Sequence, residues 1–324
     1  MANESGGIAM HHALASARAA SRPSLRIRAE YWAARAVLGL LRILPHRLTR
    51  AICAVLAALS YAFWPRLRSV GIANLRMAYP GWSARKRRRV LFASFQNLGR
   101  MLADFSHFPR WNRSNIERLI AYDGYENFLR AQSQGKGLIF LTAHFGAWEL
   151  GSFAHGLNGH PVNFVVRPLD NPLIGGLIDR YRCSSGGRSI DKRDFARQAL
   201  RCLRQGEAVG ILIDQNMLPA EGVFVDFFGR PACTTTAPAR IARKTQAPVV
   251  MGLVIWEAND RKYRLRFDRV DWIESDDPEE EVRVNTARYT ALLEEYIRRY
   301  PDQWLWVHRR WKTRPPGELP ADGQ

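Results

Sequence analysis

His144 follows an apolar run, Gly137 to Ala143, and Glu149 lies five positions further on. An imidazole and a carboxylate this close suit general-base chemistry. The neutral ring takes a proton from a hydroxyl as that oxygen attacks a carbonyl, while the carboxylate fixes the ring tautomer and stabilises the imidazolium. In one continuous helix the two side chains would point about 140° apart, at ~100° per residue. They meet only if His144 ends a strand and Glu149 opens the next helix, with Gly146 as a flexible turn between them. No serine or cysteine lies close enough to suggest a covalent nucleophile, which favours direct transfer. Two further residues stand at the ends of apolar runs, Arg167 and Asp214. Arg167 has the planar fork that binds a phosphate or pantetheine group. Asp214 is suited to ordering Arg167 or a substrate hydroxyl. The alternative for this pair is a buried ion pair of structural value alone. A His-x4-Glu spacing also arises by chance, and the plain reading of such a histidine is structural.

The elements that must position these residues can be read from the same sequence. Residues 137–143, 162–166, 208–213, 248–256 and 263–270 are short apolar or alternating runs of strand length. Between and after them, residues 171–184, 194–205, 234–246 and 279–300 read as helices. The third of these is opened by threonines fit to cap it, and the last has acidic residues in its first turn and arginines in its last. Strands alternating with helices predict an α/β fold with a covered central sheet, whose ligands sit at strand C-terminal ends. From Glu30 to about Phe108 the chain reads as helical, punctuated by Pro45, Pro65 and Pro80-Gly81.

The organisation expected is a disordered segment over 1–25, a helical membrane-anchoring part over 26–110, an α/β domain over 111–315 and a flexible tail over 316–324. Residues 1–25 lack the apolar stretch of a cleaved signal peptide. Trp32 to Leu44 and Ala51 to Trp64 are apolar but shorter than the ~18–20 residues of a spanning helix, and arginines and aromatics border them. That pattern fits helices lying at a membrane interface, with two core helices of a bundle as the other reading. Arg85 to Arg89 are five consecutive basic residues, either a solvated face or a place for anionic head groups. The formal charge of +18 attracts polyanions of any kind: nucleic acid, anionic lipid or an acidic carrier protein. No zinc-finger, RRM-like or homeodomain signature supports a nucleic-acid partner. The four cysteines, Cys53, Cys183, Cys202 and Cys233, have no disulfide or zinc-site spacing. His155 and His160 read as structural or exposed.

An ordered series of motifs then adds a resemblance. It comprises Asn74-Leu75-Arg76 with Tyr79-Pro80, His144-x4-Glu149, Arg167-Pro168 with Asn171-Pro172, and Asp214-Gln215. Phe227-Phe228-Gly229, Thr234-Thr235-Thr236 and Gln246-Ala247-Pro248 follow, and the series closes with residues 301–315, from Pro301 through Trp304, Trp306 and His308-Arg309-Arg310 to Pro315. Together these cover roughly residues 30–315, and the chain resembles the bacterial lipid A late acyltransferases, the lauroyl and myristoyl transferase family. The resemblance implies an enzyme that moves a fatty acyl chain from an acyl-carrier-protein or coenzyme A thioester to a hydroxyl of a lipid A precursor. It implies His144 as the general base, Glu149 as its charge partner, and Arg167 and Asp214 as substrate-binding residues. No cofactor or metal is expected, because His144 and Glu149 lack companions at ligand spacing and direct acyl transfer to an alcohol needs no metal. The resemblance further implies a fold like that of the glycerol-phosphate acyltransferases, a layered sheet flanked by helices, and work at the cytoplasmic face of the inner membrane. His308-Arg309-Arg310, after Trp304 and Trp306, is a second candidate: either a surface with the aromatics at a lipid interface and the arginines near lipid phosphates, or a binding site. Two rivals remain: the same chemistry on another glycolipid or aminolipid, and a non-catalytic basic lipid-binding module.

Overall fold

The structure, a computed structural model, describes residues 23–318; the expected disorder of the first residues and the end of the expected tail fall outside these. Four helices come first: α1 (Leu25–Ile43), α2 (His46–Phe63), α3 (Pro65–Ala78) and α4 (Ala84–Ser106). Their breaks fall at Pro45, Pro65 and Pro80-Gly81. Pro65 sits in the first turn of α3, where its missing N–H costs nothing. Ser24 and Ser83 cap α1 and α4, each accepting from a backbone N–H three residues on.

The α/β part runs β1 (Ile120–Asp123), α5 (Tyr125–Gln132), β2 (Leu138–Thr142), α6 (Trp148–Leu157), β3 (Val162–Val166), α7 (Pro172–Arg182), β4 (Ser189–Asp191), α8 (Phe195–Arg204) and β5 (Ala208–Leu212). It continues with β6 (Gly222–Asp226), β7 (Pro231–Thr235), α9 (Ala237–Thr245), β8 (Val249–Glu257), β9 (Lys262–Val270) and α10 (Pro278–Arg299). Seven strands form one sheet in the order β1-β9-β8-β2-β5-β3-β4. Every pairing is parallel except β8 with β9. Helices cover both faces, so β2 is almost wholly apolar, as a strand buried on two sides must be.

One correction concerns the helix expected over 234–246. Thr234 and Thr235 belong instead to β7, which pairs antiparallel with β6. The chain reverses between them through Phe228 and Gly229, both with positive φ. The helix begins only at Ala237.

The helical N-terminal part and the sheet domain share one hydrophobic core. Leu75 of α3, Tyr79 just after it, and Leu91 and Phe95 of α4 pack in the same cluster as Leu141, Ile211, Trp304 and Trp306. Trp304, Trp306 and Trp311 are at most 1 % exposed, which overturns their reading as a lipid-facing surface. Burying each removes roughly 150–250 Å² from water, an upper estimate of about 4–6 kcal/mol apiece. Arg310 goes in with them. It donates to the carbonyl of Cys233 and the hydroxyl of Thr234 and lies over the Phe227 ring. Burial pulls its guanidinium pKa down to about 10, so it stays charged.

No single helix among the described residues is long and apolar enough to cross a membrane. The pair α2 and α3 reaches that length together, but is bent by 85° at Trp64.

Candidate active site

Sheet register brings the decisive side chains together. β2 and β5 are neighbours, with Thr142 opposite Leu212. His144 and Asp214 each lie two residues beyond those positions, so the parallel strands deliver them side by side at the C-terminal edge. His144 Nδ1 stands 3.0 Å from Asp214 Oδ1, and the backbone N–H of His144 donates to Asp214 Oδ2 at 3.1 Å. The indole Nε1 of Trp304 donates to that same Oδ2 at 2.9 Å. With Nδ1–H given to the carboxylate, the lone pair of the neutral ring lies on Nε2, whose hydrogen-bond contact among the described residues is Gln215 at 3.4 Å.

Burial disfavours charge on His144, but the Asp214 carboxylate, its hydrogen bond and the more distant Glu149 outweigh that, so the imidazole pKa is raised. Asp214 is 3 % exposed. Its own burial is outweighed by His144, Trp304 and the backbone N–H, which together hold its pKa below the usual carboxylate range. The pair is a base whose tautomer is set, and whose proton affinity is chiefly raised, by one buried anion.

The loop carrying His144 is fixed rather than flexible. Gly146 has φ +58°, and a Cβ there would stand 1.5 Å from the carbonyl oxygen of Val254, so no other residue fits. Its N–H donates to the carbonyl of Gln303 at 2.7 Å, and its carbonyl accepts from Asn97 Nδ2 at 2.9 Å. The N–H of Leu305 donates to the carbonyl of His144 at 3.0 Å. Residues 303–308 thus strap the histidine loop to the sheet. Asn74 Nδ2 secures the strap by donating to the carbonyls of Trp306 and His308, both at 2.6 Å.

Glu149 opens α6, as expected, yet its carboxylate is taken by Arg182 at the end of α7. Arg182 Nε donates to one oxygen at 2.8 Å and its Nη2 to the other. The carboxylate that holds the His144 ring is Asp214, and the pairing of Asp214 with Arg167 does not form. Arg167 stands one residue beyond β3, exposed at the mouth of the cavity, with no ion pair or hydrogen bond to another described residue. His308 also faces the cavity, its Nε2 accepting from the backbone N–H of Asn216 at 2.9 Å. Burial lowers its pKa, which keeps it neutral. Sequence reasoning missed the Trp304 N–H and Arg182. A strand-end position shared with His144 was the available signal for Asp214.

These groups line a cavity of about 980 Å³. Its floor, beneath α6, is apolar: Phe140, Val162, Val254, Leu265 and Phe267. Gly151, Gly210 and Gly252 keep it open; a Cβ on Gly252 would press on the Phe140 ring at 3.1 and 3.3 Å. At the far end His155 is buried among rings, its pKa pushed down to about 3 by burial. The mouth carries Arg167, Lys192, Arg193 and Arg240; the last three are paired with Glu221, Asp191 and Glu279, which leaves Arg167 as the cation there without an ion pair among the described residues. A polar reactive edge, a long apolar floor and an arginine at the mouth suit a thioester or ester carrying a hydrocarbon chain and an anionic partner.

The model of the family described as bacterial lipid A biosynthesis acyltransferase matches residues 18–313. The chain belongs to that family. As a member it is an acyltransferase, in the transferase class. The relatives agree along most of their length. The lipid A biosynthesis lauroyltransferase of Escherichia coli K12 is 29% identical over 287 residues, 88% of this chain and 92% of that protein. The palmitoleoyltransferase of the same organism is 28% identical over 293 residues, covering 89% and 94%. Its myristoyltransferase is 23% identical over 290 residues, covering 89% and 88%. Their names give three different acyl chains, so membership in the family does not by itself fix the chain that is transferred.

Proposed function

We propose that this acyltransferase moves a fatty acyl chain from an acyl-carrier-protein thioester to a hydroxyl of a lipid A precursor, with His144 as general base and Asp214 as the group that orients it. The observation that carries the reading is the His144–Asp214 pair, with Nε2 turned to the cavity and Nδ1 fixed. In the first step the acceptor hydroxyl gives its proton to Nε2 as its oxygen attacks the thioester carbonyl. The resulting imidazolium lies against the buried Asp214 anion. When the tetrahedral intermediate collapses, the C–S bond breaks and the proton passes from Nε2 to the leaving thiolate. The acyl chain lies along the apolar floor beneath α6, and the opening N–H groups of that helix supply donors for the oxyanion. The Glu149–Arg182 pair forms the wall beside the histidine. Its carboxylate raises the proton affinity of His144, its guanidinium lowers it by less, and the guanidinium is held at the cavity edge.

Arg167, unpaired among the described residues at the cavity mouth, favours an anionic substrate group, and the +18 charge suits encounter with an acidic carrier protein. Work at the membrane surface is supported by apolar residues left exposed on α1 and α2, among them Trp32, Leu40, Leu59 and Phe63. The test compares lauroyl carrier-protein and lauroyl coenzyme A thioesters with a lipid A precursor in detergent, reading the acylated product by mass. Faster transfer from the carrier protein, with an advantage that shrinks as salt rises, is expected. Equal rates from both donors at all salt concentrations would remove the carrier protein from the proposal.

A further inference from the structure

A second cavity, of about 490 Å³, lies in the elbow where α2 and α3 meet at 85°. It shares no lining residue with the reaction cavity. Ser69, Ile72 and Arg76 reach it from one stripe of α3, three and four residues apart, and Arg88 closes it from α4. Arg68 enters from the elbow itself. Its Nη1 is held by the last carbonyls of α2, those of Tyr61 and Ala62, at 2.8 and 3.0 Å. Arg76 and Arg88 make no ion pair or hydrogen bond among the described residues, and no carboxylate among them lines the site. Three guanidinium groups and a hydroxyl converge there without an acidic counterpart.

The surroundings say where the anion comes from. From Tyr31 to Ala103 the chain carries thirteen arginines and lysines and no aspartate or glutamate. At the elbow, between the lining residues Tyr61 and Pro65, Phe63 and Trp64 are 78% and 59% exposed. A soluble phosphate compound would gain nothing from two bare aromatic rings at the edge of its site. A phosphate attached to acyl chains would, because aromatics beside arginines match the boundary between head groups and hydrocarbon. We infer that the Arg68–Arg76–Arg88 pocket binds the phosphate head group of an anionic glycerophospholipid in the bilayer, with Phe63 and Trp64 set among its chains. The inference rests on the membrane-surface reading above, but not on the chemistry assigned to His144. Arginine forks recognise phosphate oxygens in pairs, so the pocket does more than add to a diffuse charge.

The test uses the full chain and sedimentation with vesicles of phosphatidylcholine, alone or mixed with phosphatidylglycerol. Arg76→Gln/Arg88→Gln is compared with Lys86→Gln/Arg89→Gln, which removes the same charge from residues that do not line the pocket. Diffuse charge near an anionic surface supplies at most roughly fivefold in binding per arginine or lysine, about 25-fold for two, so the pocket pair, which also loses its paired contacts to phosphate, should weaken binding to the mixed vesicles by more than about 25-fold. The control pair should stay within the diffuse limit of about 25-fold. Arg76→Lys/Arg88→Lys keeps the charge without the fork and should restore binding only in part. Short-chain dihexanoyl phosphatidylglycerol should compete, and inorganic phosphate at equal concentration should not. Equal losses in the two glutamine pairs, equal binding to neutral vesicles, or competition by inorganic phosphate as strong as by the short-chain lipid would each overturn the inference. Acyl transfer in detergent, run on the same variants, should stay at the wild-type level. This separates loss of the lipid site from misfolding and from any failure of the proposed reaction.

Discussion

Replacing Asp214 by Asn changes one atom of the site and should remove nearly all activity. The oxygen Oδ2 receives two N–H donors, the His144 backbone at 3.1 Å and the Trp304 indole at 2.9 Å. An amide must therefore keep its oxygen on that side and turn its NH2 toward His144 Nδ1, at the 3.0 Å position of the present bond. The NH2 then donates to Nδ1, the ring proton moves to Nε2, and the lone pair that takes the hydroxyl proton is lost. A wrong-tautomer exchange of this kind costs about 10⁴-fold in a serine-protease triad, or about 5.5 kcal/mol of transition-state stabilisation. The assay is acyl transfer in detergent, followed from pH 5 to 9. In wild type the rate rises as His144 loses its proton, with a midpoint above the ordinary histidine value of about 6.5, because Asp214 and Glu149 raise its pKa. In the Asp214→Asn variant the remaining activity should titrate lower as well as plateau lower. A variant within tenfold of wild type, with its midpoint unmoved, would refute Asp214 as the orienting group.

Other predictions follow from neighbouring contacts. Trp304→Phe keeps the ring packing but removes the indole donor to Asp214. It should leave the melting temperature within a few degrees while lowering turnover about tenfold, and a loss of folding without such a selective effect would make Trp304 purely structural. Glu149→Gln leaves the Arg182 charge without its anion, which costs about 1–3 kcal/mol after allowance for partial exposure, and it moves the pH limb of activity downward; an unshifted limb would remove Glu149 from the electrostatics of the histidine. Gly252→Val places methyl groups against Phe140 in the cavity floor. If it excludes two methylenes, it should cost about 15-fold in kcat/KM for donors that fill the floor and little for short ones, and equal loss for both would put the chain elsewhere. His155 is neutral when folded, with its pKa near 3 against about 6.5 unfolded, so the stability it contributes is complete above pH 6.5 and is lost as pH falls toward 3. His155→Phe should flatten the pH dependence of the denaturation midpoint over that range, and an unchanged slope would contradict the assignment.

The elements that carry the site were readable from local pattern because β2, β5 and β8 are buried on both faces and therefore nearly all apolar. Helix boundaries followed the prolines for the same local reason. What local pattern does not hold is the order of strands. β2 and β5 are neighbours although β3 and β4 lie between them in sequence, and that adjacency is what brings Asp214, 70 residues away, to His144. Glu149 was the nearer carboxylate in sequence, but the end of α7 supplies Arg182 to it, a pairing no spacing rule encodes. Trp304 and Trp306 beside arginines have the composition of a membrane edge. They are core because Asn74, Tyr79 and the histidine loop close over them, and Arg310 is tolerated there by its carbonyl and hydroxyl partners. The β6–β7 hairpin went unread because its threonines serve a strand as readily as a helix cap.

The most direct test of the account is acyl transfer from a lauroyl carrier-protein thioester to a lipid A precursor by the wild type and by His144→Ala, both in detergent. Acylated product is expected from the wild type and at most a trace from the variant, whose fold and cavity should be intact. Product formed by His144→Ala at a rate near that of the wild type would contradict it.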